Sequence, residues 1–146
     1  MVDHQAFLRS FNARNYIFRI GEVSKMTGVS PRQLRYWEQK GYIHSERSEK
    51  MASRVFDHDN FMTVKLIKYY LDSDNTLGNA VQKAREHLQT VKTVHQFLIK
   101  ISPSLVKADG ETLIDLGYFN AEHTKKLYGR LDPDGNPQYE IKQVTE

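Results

Sequence analysis

The sequence predicts a mainly α protein, and three observations carry that expectation. Residues 20 to 38 hold two short helical patterns broken at Thr27-Gly28-Val29. Phe61, Val64, Ile67 and Leu71 recur at helical spacing after Asp57, a residue suited to cap a helix of about 14 residues. From Thr76 to Ser102 there is no proline, and the one glycine, Gly78, falls at the start, so a single long helix capped by Thr76 fits that stretch.

The first pair of helices has a punctuated turn. Gly28 supplies a left-handed conformation that a residue with a Cβ adopts only at a cost. Ser30 is placed to cap the second helix, and Pro31 stands at its first position, where a missing N–H costs nothing. This is helix-turn-helix syntax, in which the second helix enters the major groove of DNA. On that helix Arg32, Arg35, Tyr36 and Gln39 fall at i, i+3, i+4 and i+7 and form one polar, basic stripe. Leu34, with Val29 before it and Ile43 after it, points the other way, toward Ile20 and Val23. Arginine's planar fork suits guanine edges and phosphates, and a tyrosine hydroxyl can donate to a phosphate oxygen. A basic stripe alone is most simply a solvated face. Joined to the Gly28 turn, the Ser30-Pro31 start and the basic segment that follows, it reads as a DNA-contacting surface.

Residues 18 to 77 resemble the DNA-binding domain of the MerR family of bacterial transcription regulators. Phe18-Arg19-Ile20-Gly21-Glu22-Val23-Ser24-Lys25 looks like the first helix. Gly28-Val29-Ser30, Leu34-Arg35-Tyr36-Trp37-Glu38 and Gly41-Tyr42-Ile43 look like the turn, recognition helix and entry to the wing. Arg47 and Arg54-Val55-Phe56 match the wing arginines, and Phe61, Val64, Ile67 and Leu77 match core positions that follow. The resemblance implies a winged helix-turn-helix DNA-binding domain, with Tyr42 to Phe56 as the wing, then a dimerisation helix and a short C-terminal appendage. It also implies a homodimer that binds double-stranded promoter DNA and acts by distorting it, with RNA polymerase or a regulatory protein as a further partner. Carried over, Arg35 and Tyr36 would contact phosphate, Arg32 and Gln33 would lie nearest the bases beside Ser30, and Arg47 and Arg54 would anchor the wing. The segment Pro31 to Tyr36 is closest to the short glutamine-synthetase repressor branch. Two departures stand out. Lys50-Met51-Ala52-Ser53-Arg54 lacks the glycine-aromatic pair often found before that arginine, and Asp74-Asn75 replaces the glycine-hydrophobic pair usual before Leu77, which puts a second wing in doubt.

Within the long helix, Val91, Val94, Leu98, Ile101 and Leu105 recur at spacings of 3, 4, 3 and 4, with Leu88 three residues earlier. Such a seam fits a short coiled coil or an amphipathic helix docked on its own domain. An isolated helix of this length is marginal, so something must cover the stripe. The family resemblance favours the same helix of a second subunit, with Leu88, Val91, Val94, Leu98 and Ile101 at the dimer interface.

The organisation expected is therefore an N-terminal extension (1–15), the DNA-binding domain (16–75), the helical dimerisation region (76–102) and a regulatory or packing segment (103–146). In the extension, Phe7, Leu8 and Phe11 suit an amphipathic helix. Pro103 closes the long helix, because the residue before a proline is pushed out of helical geometry. Beyond it, Leu113, Ile114, Leu116, Tyr118 and Phe119 form an apolar cluster, residues 120–130 are helix-compatible, and Asp132-Pro133-Asp134-Gly135-Asn136-Pro137 is a turn. Tyr139, Ile141 and Val144 follow at strand-like spacing. The turn lacks the register and closing glutamate of a calcium loop.

Charge is unevenly spread. Residues 1–56 hold ten Lys/Arg against five Asp/Glu, whereas residues 102–146 hold five against eight. A basic N-terminal part fits a nucleic-acid partner. The absence of cysteine removes disulfides and thiolate-based metal or redox sensing. No signal peptide or membrane-length apolar run is visible, so a cytoplasmic protein without membrane contact is expected. His4, His44, His58, His87, His95 and His123 are scattered without metal-ligand spacing, and no nucleophile elbow or phosphate loop occurs. No catalytic residue, metal or cofactor is expected. Against the regulator stands one alternative, a protein-binding adaptor of the chaperone-modulator kind that keeps the scaffold without binding DNA. Arg32, Arg35, Tyr36, Arg47 and Arg54 together favour the regulator.

Overall fold

The computed structural model describes residues 16–47 and 54–145; the expected N-terminal helix and the wing tip lie outside them. In order, the elements are β1 (Ile17–Arg19), α1 (Ile20–Thr27), α2 (Pro31–Gln39), β2 (Glu46–Arg47), β3 (Arg54–Asp57), α3 (His58–Asp72) and α4 (Leu77–Ile101). They are followed by β4 (Ser104–Ala108), β5 (Glu111–Tyr118), β6 (Lys125–Leu131) and β7 (Pro137–Gln143). The described residues group into two compact units, one reaching Thr93 and the other starting at Val94.

In the first unit, local capping chemistry sets the helix ends. Gly28 has φ 74° and its N–H donates to the Ser24 carbonyl at 2.9 Å, closing α1. Asp57 caps α3, accepting from the Asn60 N–H at 2.8 Å. At the far end of α3, Asp74 takes φ 60° and the Asn75 amide donates to the Tyr70 carbonyl at 2.9 Å. That pair builds a tight helix-to-helix turn, after which Thr76 Oγ1 accepts from the Asn79 N–H. Phe18 and Arg19 depart from the sequence expectation. They belong to β1 rather than α1, because Phe18 pairs with Phe56 and Arg19 with Val55 across an antiparallel ladder. The small sheet runs β1-β3-β2.

One core holds this unit together. Val23, Val29, Leu34, Trp37, Ile43, Phe56, Val64 and Ile67 are buried, with Phe18, Ile20, Phe61 and Leu71 packed around them. Ala80, Val81 and Ala84 from the start of α4 join the same cluster. The small side chains let that stretch of helix lie close to the domain. Farther along, Lys92 Nζ meets an Asp59 carboxylate oxygen at 2.7 Å. The first half of α4 is thus docked on its own domain.

The second unit overturns the mainly α expectation. Residues 104–143 form an antiparallel four-stranded meander, β4-β5-β6-β7, so the fold is mixed α/β, with 29% of the described residues in strands. The helix-compatible stretch 120–130 becomes a turn and strand β6. Asn120 decides the turn: its Oδ1 accepts from the Thr124 and Lys125 N–H groups at 3.2 and 2.9 Å, while Phe119 N–H donates to the Lys125 carbonyl at 2.8 Å. Strand β6 is then paired on both sides, which outweighs weak local preference. The apolar cluster 113–119 lies on β5 and its end. A register shift between Asp115 and Tyr118 is accommodated by Gly117 (φ 99°), whose N–H donates to Asp115 Oδ1 at 2.9 Å. No helix among the described residues is long and apolar enough to cross a membrane.

Candidate nucleic-acid interface

The second helix of the pair, α2, starts with a reciprocal cap. Ser30 Oγ accepts from the Gln33 N–H at 3.2 Å, and Gln33 Oε1 accepts from the Ser30 N–H at 3.1 Å. Pro31 occupies the first position, as its fixed φ allows. Both side chains therefore have a structural task at the helix start. Gln33 keeps only its amide nitrogen free of that box.

Past the cap, α2 splits cleanly into two faces. Leu34 and Trp37 are buried, while Arg32, Arg35, Tyr36 and Gln39 are all exposed along one side. Lys40 Nζ sits 5.6 Å from the centre of the Tyr36 ring and extends the positive surface. The stripe read from the sequence is a continuous exposed surface.

The wing strands stand beside that helix. Arg47 and Arg54 are directly opposite each other on β2 and β3, a placement that like charges disfavour. Glu38, at the end of α2, relieves it. Its Oε2 lies 2.9 Å from Arg54 Nη1, both side chains being partly buried. The contact is an ion pair without hydrogen-bond alignment, since Oε2 has no hydrogen-bond partner. Glu38 Oε1 accepts from the Ser45 hydroxyl in the chain leading into β2. One carboxylate thus ties both strands of the wing base to the recognition helix, and Arg47 stays exposed.

Two further ties went unread in the sequence. Asn60 Oδ1 accepts the His44 N–H at 2.7 Å, fixing the wing entry to α3. Arg85 on α4 donates to the Gly41 carbonyl at 3.1 Å, fixing the chain after α2 to the long helix. Glu38 alone carried a sequence signal, a single acid on an otherwise basic helix. The other contacts join residues far apart in the chain and leave no local pattern.

The residues singled out on α4 are distributed differently. Val91, Val94 and Leu98 are exposed, and Leu88 and Ile101 are half-buried. His87 Nδ1 lies 3.1 Å from the Tyr70 hydroxyl, at the side of the helix. Among the described residues no group of His, Asp and Glu is arranged to hold a metal ion.

A capped second helix with an exposed basic face, braced by a two-strand wing, has the form of a winged helix-turn-helix. Residues 18–87 match the family described as MerR HTH family regulatory protein. The match ends within α4 and leaves the C-terminal sheet outside it. No curated protein matches the chain.

Proposed function

We infer that the chain is a sequence-specific DNA-binding transcription regulator, acting in the cytoplasm as a homodimer on a pseudo-palindromic promoter site and distorting the duplex there. The observation that carries this reading is the exposed Arg32-Arg35-Tyr36-Gln39 face on a helix whose start is capped and whose end is tied to the wing. Arg35 and Tyr36 would reach phosphate and Arg32 the base edges. Gln33 and Ser30 would act mainly by holding the helix start, with the Gln33 amide available to a base. Arg47, exposed on β2, is the wing's phosphate contact, whereas Arg54 is its anchor. Within the family, residues 31–36 resemble the glutamine-synthetase repressor branch.

Dimerisation is assigned to Leu88, Val91, Val94, Leu98 and Ile101. The exposure of Val91, Val94 and Leu98 in the single chain, on a helix whose first apolar residues Ala80, Val81 and Ala84 are covered by its own domain, supports a second subunit as the cover. A two-fold dimer presents two recognition helices to half-sites spaced by the DNA repeat. The adaptor alternative gains one point, because Glu38 offsets part of the charge that Arg54 would bring to a duplex. Selection of bound duplexes from a random-sequence pool, at two salt concentrations, separates the two readings. A regulator enriches a two-fold motif that survives the higher salt; an adaptor enriches nothing.

A further inference from the structure

The four-stranded sheet sorts its charges by face. Directly paired residues of an antiparallel ladder share a face. Leu105, Ile114, Gly129 and Tyr139 therefore form one row across all four strands. Leu127 with Ile141 and Leu131 with Pro137 lie on the same side. Leu105, Leu131 and Tyr139 are each about two-thirds exposed, at 70%, 67% and 68%. At the centre, Leu116 Cδ1 lies 3.4 Å from where a Cβ on Gly129 would stand, so Leu116 covers the buried glycine. Contiguous apolar surface of this kind is uncommon on a soluble protein unless something binds it.

The charges point to the kind of occupant. All three carboxylates on strands β4 to β7, Glu111, Asp115 and Glu140, lie on the opposite face. There each has a basic partner: Asp115 with Lys126 at 2.8 Å, Glu140 with Lys142 at 3.4 Å and Glu111 with Arg130 at 3.5 Å. The apolar face has Lys107 toward one end and Lys125 toward the other, and no acid. Neither lysine has a carboxylate partner among the described residues. This segregation occurs in a segment that is acidic as a whole, with five Lys/Arg against eight Asp/Glu over residues 102–146. A second copy of the face would bring two more lysines and no carboxylate to pair with them.

We propose that this face docks an acidic, leucine-rich segment of another protein, with apolar side chains over Leu105, Leu131 and Tyr139 and carboxylates on Lys107 and Lys125. The surface is separate from the DNA-reading helix and goes beyond the regulator reading. Bound there, an acidic partner gains both apolar burial and charge complementarity, the latter setting its choice over neutral or basic segments.

The test uses the full chain and two labelled synthetic peptides of about four helical turns, one of Leu and Glu and one of Leu and Lys at the same positions. The Leu/Glu peptide should bind saturably by fluorescence anisotropy and the Leu/Lys peptide should not. Lys107→Glu with Lys125→Glu should weaken the acidic peptide by about tenfold or more and admit the basic one. Tyr139→Ser should also weaken it, with circular dichroism and DNA affinity unchanged to show that the fold is intact. Equal binding of both peptides, or none of either, overturns the proposal. So does a face that binds anionic phosphatidylglycerol vesicles and not the peptide, or one that self-associates in sedimentation and loses that association on Tyr139→Ser.

Discussion

Glu38 Oε2 and Arg54 Nη1 lie 2.9 Å apart, joining the end of the recognition helix to the first residue of β3. The ion pair sits at a partly exposed site, so its worth to global stability is small. Its effect is positional: with the Ser45 hydroxyl on the other carboxylate oxygen, it holds the wing base against α2.

Variants at Arg35 and at Glu38 should therefore behave differently in DNA titrations. Arg35→Ala removes one neutralised phosphate and should flatten the slope of log affinity against log salt by about 0.9. Glu38→Gln leaves the number of phosphate contacts intact and loosens the wing, so affinity should fall with little change in slope. If Arg35→Ala binds like the parent at every salt concentration, the regulator reading fails.

Arg32 lies on the same exposed face, one turn nearer the helix start. Arg32→Ala should narrow the gap between a selected site and random DNA by roughly 1–3 kcal/mol, the value of a good bidentate base contact. Competition titrations with both duplexes measure that gap. An unchanged gap would move base reading away from Arg32.

On α4, Leu98 is exposed in the single chain and central to the expected seam. Leu98→Glu would bury a charge against its symmetry mate without a partner. Sedimentation should then show monomers, and affinity for a two-fold site should drop with dimerisation. A parent chain that sediments as a monomer at micromolar concentration would contradict the dimer.

The β6–β7 turn gives an acid-side signature. The N–H of Asn136 and then that of Asp134 donate to Asp132, holding its carboxyl below the usual carboxylate value. A folded-state value lowered in this way adds stability above the unfolded value, and that contribution is lost as pH falls through the folded one. Asp132→Asn should flatten the decline of stability on acidification, read by urea unfolding across the acid range. An unchanged acid limb would assign the decline to other carboxylates.

Sequence alone determined the elements whose causes are local. Gly28, the Ser30-Pro31 start, the Asp57 and Thr76 caps and the apolar spacing of α3 act through bonds and contacts within about one turn, so a short window of sequence carries them. The exposed stripe on α2 follows from the same spacing. Tertiary structure decided the rest, because the deciding contacts are distant in the chain. Phe18 is a strand residue only because Phe56 pairs with it, and β6 is a strand because β5 and β7 flank it after the Asn120 turn. The pairing of Arg54 with Glu38 joins two elements distant in the chain and left no local pattern. The stripe from Leu88 on was legible as apolar, but only packing showed that Ala80, Val81 and Ala84 at the start of α4 are covered by their own domain while Val91, Val94 and Leu98 stay exposed. A hydrophobic period says that a face must be covered, and only the assembled chain says by what.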